Sequence, residues 1–388
     1  MKAERYVDVS WHSLNKYGEE LCGDKVEWIK SDQRTIVVLA DGLGSGVKAN
    51  ILATLTSKIM ITMLDQGADL EETIETIANT LPVCQVREIA YSTFSIVDID
   101  NNLHCRIIEF DNPPVFVLRD HKQVILEKRC MFSCEKRVMI SELDLEIGDS
   151  ITLCSDGVIH AGVGNMLNHG WEWEHVKAYL CQQNLKSADK FNRRLMESCY
   201  KLYDEKPGDD TTAVSIKIRH PENVQLLTGP PALETLDEET VKSFMKSKGK
   251  KVVCGGTAAN IVARELNRPI ESTLTYIDPV VPPTAKISGI DLVTEGVLTL
   301  KMTLNALKSL KDSCEEPNFD KEDGVTQLLK CFLEDSTHIH FYVGSAINPA
   351  HQNPDFPSDL SIKMNIVKDI VSILREMNKI VYLNYIDR

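Results

Sequence analysis

The chain has no apolar run approaching the length needed to span a bilayer. Its first residues, MKAERYVDVSWHSLNKYGEEL, hold no secretory apolar core, and the expected location is the cytoplasm. Basic residues are in short supply: 43 Lys and Arg stand against 57 Asp and Glu, a net charge of −14. Such a chain lacks the basic face that nucleic acid requires and is repelled by anionic lipid, so neither nucleic acid nor a membrane is expected as a partner. The eleven cysteines are scattered, not paired. Cys105, Cys154, Cys181 and Cys331 fall inside apolar runs. Cys130 and Cys134 alone are close, with no second pair or His doublet to complete a zinc site. Disulfide frameworks belong to short secreted chains, so free thiols in a reducing interior are expected. The chain also lacks internal repeats, low-complexity tracts, Gly-x-Gly-x-x-Gly and a Walker lysine, which leaves dinucleotide and ATP sites unsupported.

What is present is a set of acidic motifs far apart in the sequence: Asp41-Gly42 in VVLADGLGSG, Asp156-Gly157 in ITLCSDGV, and Asp209-Asp210 in PGDDTTAVSI. Each lies beside an apolar run that reads as a strand. A carboxylate at a strand end is a poor core residue, because burying an unpaired charge is costly. Several converging on one space repel one another unless a cation sits among them, and oxygen-only ligands suit Mg²⁺ or Mn²⁺. A single Asp-Gly is more often a turn; Asp100, Asp120 and Asp149 are read as turn residues.

At 388 residues and 43% hydrophobic, the chain has the length of two ordinary globular domains. Residues 1–219 read as antiparallel strands covered by helices. Strands are expected at 36–40, 92–99, 103–110, 115–119, 123–126, 150–154 and 212–218, and helices at 47–65, 70–81, 171–183 and 188–203. The expected class is α+β, layered with antiparallel sheets. From about Pro221 strands alternate with helices, the pattern of a smaller α/β domain with a parallel sheet over 222–388. Its strands are expected at 224–227, 251–254, 274–277, 338–343 and 380–384. Its helices are expected at 237–246, 258–266, 296–310, 321–333 and 361–377.

Taken in order, Gly23-Asp24, Asp41-Gly42-Leu43-Gly44-Ser45-Gly46, Asn112-Pro113-Pro114, Gly148 to Gly157, and Gly208-Asp209-Asp210-Thr211-Thr212 resemble the motifs of the metal-dependent protein phosphatases of type 2C. The resemblance covers about residues 1–219 and points to the bacterial branch around stage II sporulation protein E. It implies an α-β-β-α fold and two Mn²⁺ or Mg²⁺ ions that activate a water for hydrolysis of phosphoserine or phosphothreonine. On it, Asp41 bridges both metals, and Gly42 offers its carbonyl. Asp156 and Asp209 complete one shell, Asp24 serves the other ion, and Asp210 orients the set from behind. The implied substrate is a phosphorylated protein, such as an anti-sigma-factor antagonist. Leu43 stands where eukaryotic members carry His, and no phosphate-holding Arg is evident, since Arg5 lies outside any motif. Slow turnover of small aryl phosphates follows. Two other readings of the chain are a phosphatase-like regulatory or binding module and a hydrolase of a small phosphorylated metabolite.

Residues 222–388 resemble no family. Val252 to Asn260 reads as a strand, a Gly255-Gly256-Thr257 turn and a helix start, a candidate anion site for a small ligand. The plainer reading, a tight turn with Thr257 as N-cap, is placed slightly ahead. Gly344-Ser345 is a second candidate loop at the same sheet edge. Cys254 reads as a buried, inert thiol, and His338 and His340 as structural. Since the phosphatase-like part begins almost at Met1, intramolecular regulation is expected from the C-terminal domain.

Overall fold

The computed structural model describes residues 5–31, 33–80, 92–133, 136–272, 280–311, 313–344 and 358–386. The chain divides into two compact units, one of residues 1–220 with 314–316, the other of residues 221–313 and 317–388.

The strands of the first unit are β1 (Tyr6–Leu14), β2 (Asp24–Lys30), β3 (Arg34–Gly42), β4 (Ser92–Asp100), β5 (His104–Phe110), β6 (Phe116–Arg119), β7 (Lys122–Gln123), β8 (Arg129–Ser133), β9 (Lys136–Asp144), β10 (Ser150–Cys154) and β11 (Thr211–Arg219). They form two antiparallel sheets, ordered β1-β11-β10-β6-β7 and β2-β3-β4-β5-β9-β8. Successive side chains in a strand point to opposite faces, and the burial pattern follows that rule. Val37 and Leu39 of β3 join Val9, Val97, Ile151, Val214 and Ile216 in the core between the sheets. Ile36, Val38 and Ala40 instead meet α1 (Gly46–Asp65) and α2 (Leu70–Thr80) on the outside. The opposite outer face, with Phe116, Cys154 and Ala213, is covered by α3 (Asp156–Ile159), α4 (Trp173–Cys181) and α5 (Ala188–Leu202). The result is the α-β-β-α layering and antiparallel pairing expected.

Four strands and the one-turn helix α3 were not expected. The sequence reading had no strand at β1, β2, β8 or β9, because their mixed polar and apolar residues carry weak alternation and pairing partners decide their state. By length and composition α1 could cross a membrane, contrary to the expectation that no segment could. Its stripe of Ala49, Leu52, Ala53, Thr56, Met60, Ile61 and Leu64 recurs at helical spacing and packs on the sheet. Buried ion pairs tie the layers. Asp8 of β1 accepts from Arg219 at 2.9 Å and from the backbone N–H of Ala188, at the start of α5. Asp149, read as a turn residue, is almost wholly buried and accepts both arms of Arg119, at 2.9 and 2.7 Å.

The second unit contains β12 (Asn223–Thr228), α6 (Asp237–Lys246), β13 (Lys250–Cys254), α7 (Gly256–Leu266), β14 (Glu271–Ser272), β15 (Ala285–Lys286), β16 (Leu292–Thr294), α8 (Val297–Lys311), α9 (Gly324–Leu333), β17 (His338–Gly344), α10 (Ser358–Glu376) and β18 (Ile380–Ile386). The sheet order is β14-β15-β16-β13-β12-β17-β18. Five strands, β16 to β18 in that order, are parallel, while β14 and β15 add an antiparallel edge. The sheet is therefore mixed, not purely parallel. The strand β16 was missed because three residues carry too little pattern. The expected strand at 274–277 lies outside the described residues. α6 and α7 cover one face with Val241, Phe244, Ile261 and Val262. α8, α9 and α10 cover the other with Leu300, Leu328 and Ile370. Cys254 is fully buried, and burial pushes its thiol up to about 12, which keeps it protonated and unreactive. His340 stacks on Tyr382 at 4.6 Å.

Candidate metal centre

The site is built where the sandwich opens at one end. On β3 the alternation that puts Val37 and Leu39 inside places Asp41 on the same inner face. On β2 the inward Val26 does the same for Asp24. The register sets Asp24 directly opposite Asp41. Like charges directly opposite on an antiparallel pair are destabilising, so the fold has forced together two acids that repel. From the facing sheet, Ser155 follows the inward Ile151 and Leu153 of β10, and Thr212 precedes the inward Val214 of β11.

Ser155 ties the two sheets together. Its Oγ donates to Asp24 Oδ2 at 2.7 Å and accepts from the N–H of Thr212 at 2.9 Å. Asp24 is almost fully buried, and its other oxygen, Oδ1, meets no well-formed hydrogen-bond donor among the described residues. Asp210 is buried too; its Oδ1 accepts from the N–H of Lys16 at 3.0 Å, while Oδ2 is left unpartnered. Asp209 lies nearer solvent with Lys16 Nζ 3.5 Å away. Asp156 opens to solvent at the start of α3. Buried acceptors without donors are rare in folded proteins, and two orphaned carboxylate oxygens in one space call for a cation.

The acids sense one another. Burial, then Asp24, Asp156, Asp209 and Asp210, push Asp41 up to about 9. Burial also pushes Asp24 up to about 7, against the opposing hydrogen bonds from Ser155 and Thr212. Asp156 is raised by loss of solvent and by Asp209, with His160 and Lys16 working the other way. Among the described residues, no three His, Cys, Asp or Glu side chains already close into a single-ion cluster. The donor set nonetheless fits hard divalent ions: it is all oxygen, mutually coupled, and contains orphaned atoms.

Three glycines let these elements close up. A Cβ on Gly42 would sit 2.1 Å from the carbonyl oxygen of Ala49, so α1 can pack against the Asp41 turn only because Gly42 lacks one. This adds a packing reason to the expected access to the Gly42 carbonyl. A Cβ on Gly157 would meet the backbone oxygen of Asp210 at 2.2 Å, and one on Gly23 would meet Asp210 Oδ2 at 2.8 Å.

Residues 31–219 match the family model described as Stage II sporulation protein E (SpoIIE). This part of the chain is SpoIIE-like. Stage II sporulation protein E of Bacillus subtilis (strain 168) is 26% identical over 215 residues, covering 53% of this chain and 25% of that protein. The chain thus spans about a quarter of the length of that relative. Among solved structures, the PP2C phosphatase domain with a fragment of the regulatory domain of B. subtilis SpoIIE is 22% identical, with a TM-score of 0.49. The alignment covers 56% of this chain and 65% of that one. The SpoIIE phosphatase domain in a crystal form without domain swapping is 21% identical with a TM-score of 0.44, covering 57% and 95%. The matched segment contains four of the five motifs read from the sequence, all but Gly23-Asp24.

Of the sequence-proposed residues, the fold gathers Asp24, Asp41, Gly42, Asp156, Asp209 and Asp210 at one end of one sandwich. Gly255, Gly256 and Thr257 lie in the other unit. Arg5 is not part of the centre; its guanidinium donates to the backbone oxygen of Asn102. Sequence reasoning missed Ser155, Thr212 and Lys16. Ser155 and Thr212 stood inside the quoted motifs without a role, and Lys16 had no local signal. Replacing Ser155 by Ala strips a hydrogen bond from Asp24 and leaves the N–H of Thr212 without its Ser155 partner. We expect a loss of about 1–3 kcal/mol of stability and roughly 10- to 100-fold weaker divalent-ion binding. Parallel urea unfolding and Mn²⁺ titration check both, and unchanged ion affinity would remove Ser155 from the site.

Proposed function

We propose that the SpoIIE-like domain is a Mn²⁺- or Mg²⁺-dependent serine/threonine phosphoprotein phosphatase with a signalling role. The observation that carries the proposal is the coupled acid set: Asp41 at the hub, Asp24 and Asp210 with orphaned buried oxygens, and Asp156 and Asp209 at the open rim. Two such ions would supply water activation and electrostatic stabilisation of the phosphoryl oxygens. Asp41, Asp24, Asp156, Asp209 and the Gly42 carbonyl would hold them. Asp210, fixed by the N–H of Lys16, keeps the Asp209 turn in place, and Ser155 orients Asp24. Lys16 Nζ and His160 are the cationic or protonatable groups beside the rim, suited to contact the substrate phosphate.

A protein substrate is favoured over a small metabolite by the surface next to the centre. Leu43, Val47, Ile51 and Leu55 run from the Asp41 loop along the outside of α1 and are all exposed. An apolar stripe of this kind suits contact with another protein. A phosphorylated antagonist of an anti-sigma factor is the partner class suggested by the family resemblance, and the cytoplasm is the compartment that matches it.

The test is phosphate release from phosphoserine and phosphothreonine proteins with Mn²⁺, Mg²⁺ or EDTA, alongside a panel of phosphorylated metabolites. Metal-dependent release from the proteins with little from the metabolites is expected. Release from metabolites alone would favour the small-molecule reading, and inertness toward everything would leave the binding-module reading.

A further inference from the structure

The five parallel strands of the second unit run β16-β13-β12-β17-β18. The chain winds outward from β12 through β13 to β16 with α6 and α7 on one face. It then returns to β17 on the other side of β12 and proceeds to β18 with α8, α9 and α10 on the opposite face. The order reverses between β12 and β17. In open α/β sheets ligands gather outside the carboxyl ends of the strands at such a reversal.

That edge is built from glycine. In register, Thr228 pairs with Cys254 on one side and Val343 on the other, so Gly229, Gly255 and Gly344 leave the sheet side by side. A Cβ on Gly344 would meet the oxygen of Pro230 at 2.0 Å, so the floor between β12 and β17 is bare backbone. Over Gly256, no atom of another described residue lies within 4 Å of where a Cβ would stand, its own helix's backbone aside. α7 starts there with Gly255 as N-cap, no side-chain cap and no acid in its first turn. Thr257 is therefore inside the helix, not the cap expected for it. By contrast α8 is capped by its own Glu295, which accepts from the N–H groups of Leu298 and Thr299.

Two side chains at this edge carry polar groups with no partner among the described residues. On α10, Ile366, Val367 and Ile370 face the core, and Lys363 sits one turn earlier on the same helical face. Its Nζ lies against Gly229, where a Cβ would come within 2.1 Å of it. It is partly buried, and no carboxylate among the described residues acts on it; burial alone lowers its pKa. Thr228, last residue of β12, is 1% exposed with its Oγ1 unpartnered. It shares the sheet face of Leu226 and Cys254, the face from which Lys363 reaches. A lysine stem lying along apolar surface is common, but such a lysine carries its ammonium out to water, and here it stops at the strand ends against Gly229, the residue that follows Thr228.

We propose that the carboxyl edge of this sheet binds the phosphate group of a small phosphorylated molecule. Lys363 Nζ is the counter-ion, Thr228 Oγ1 donates from beneath, and the opening turn of α7 supplies backbone N–H groups. A dinucleotide does not fit, because Pro230 and Pro231 deny the first strand-to-helix turn the N–H groups that cradle a pyrophosphate.

The full chain in EDTA, where the acidic centre holds no metal to bind phosphate, is titrated calorimetrically with inorganic phosphate, ribose 5-phosphate and acetate. The expected result is saturable binding of the two phosphate probes, one per chain. It should be weaker by about tenfold or more in Lys363→Met and unchanged in Asp41→Asn. Lys363→Met is also expected to melt no lower than the parent, since it replaces an unpaired ammonium by an apolar chain of similar length. Should it fail to fold, Thr228→Val carries the test, with the same loss of affinity expected. Absence of saturable binding, equal affinity in parent and variant, or loss in Asp41→Asn overturns the proposal. Acetate binding as tight as phosphate overturns the assignment to phosphate.

Discussion

Replacing Asp41 by Asn is expected to cut metal-dependent phosphatase activity by about a thousandfold or more, while making the metal-free protein more stable. Both effects have one cause. Asp41 is the acid whose charge is opposed by every other acid of the centre, and burial and those neighbours push it up to about 9. That same position, next to Asp24 and facing Asp156 and Asp209, is where Asp41 would help hold the divalent ions. Its loss would forfeit several kcal/mol of the electrostatic stabilisation that bound ions would give the reacting phosphoryl group. The amide keeps the shape and removes the repulsion. Initial rates with Mn²⁺ and melting in EDTA read the two effects on one preparation. A variant that loses activity and also melts lower in EDTA would point to a structural role for Asp41, and retained activity would exclude it from the reaction.

The pH dependence of stability should change with metal. Asp41 and Asp24 have folded pKa values of about 9 and about 7, raised above their ordinary value of 3.8. A carboxyl group raised on folding contributes stability that is complete below its unfolded pKa and is lost as pH climbs through the folded value. His12 works in the other direction. Burial, then Arg193, lower it from 6.5 to about 4, so its contribution is complete above pH 6.5 and is lost as pH falls toward 4. Lys30, lowered by burial to about 8, opposes the acids only above that value, so between about pH 6.5 and 8 metal-free protein should lose stability as pH rises. For a domain of this size each 1 kcal/mol moves Tm by roughly 2–4 °C, so a fall of several degrees is expected. Divalent ions bind the deprotonated carboxylates and stabilise by mass action, so the rise in Tm on adding Mg²⁺ or Mn²⁺ should be larger at pH 8.5 than at pH 6.5. A metal-induced shift that is the same at both values, or none at either, would show that these acids do not share an ion.

Much of this was legible in the chain. The helices of both units carry strong periodicity or clear end signals, and α1, α2, α5 and α6 lie within a residue or two of where they were expected. Strands with a continuous apolar run, such as β3, β10, β12 and β17, were equally plain. The weaker strands were not. β2 is DKVEWIK, charged at four of its seven positions, and becomes a strand because β3 offers it a partner. Its role in the centre, to carry Asp24 opposite Asp41, was invisible for the same reason.

The sequence by itself determined the chemistry: oxygen-only acids, each beside a glycine and a strand, in an order that limits what they can bind. Local composition encodes such things because residue type, spacing and periodicity act over a few neighbours. Only the tertiary structure decided which acids meet, that Ser155 joins the sheets through Asp24 and Thr212, and that Lys363 ends against Gly229, more than a hundred residues away in the chain, with no carboxylate partner among the described residues. Those outcomes depend on strand register and on which helix covers which face. Both follow from burial summed over the entire core, a quantity that no short window of sequence contains.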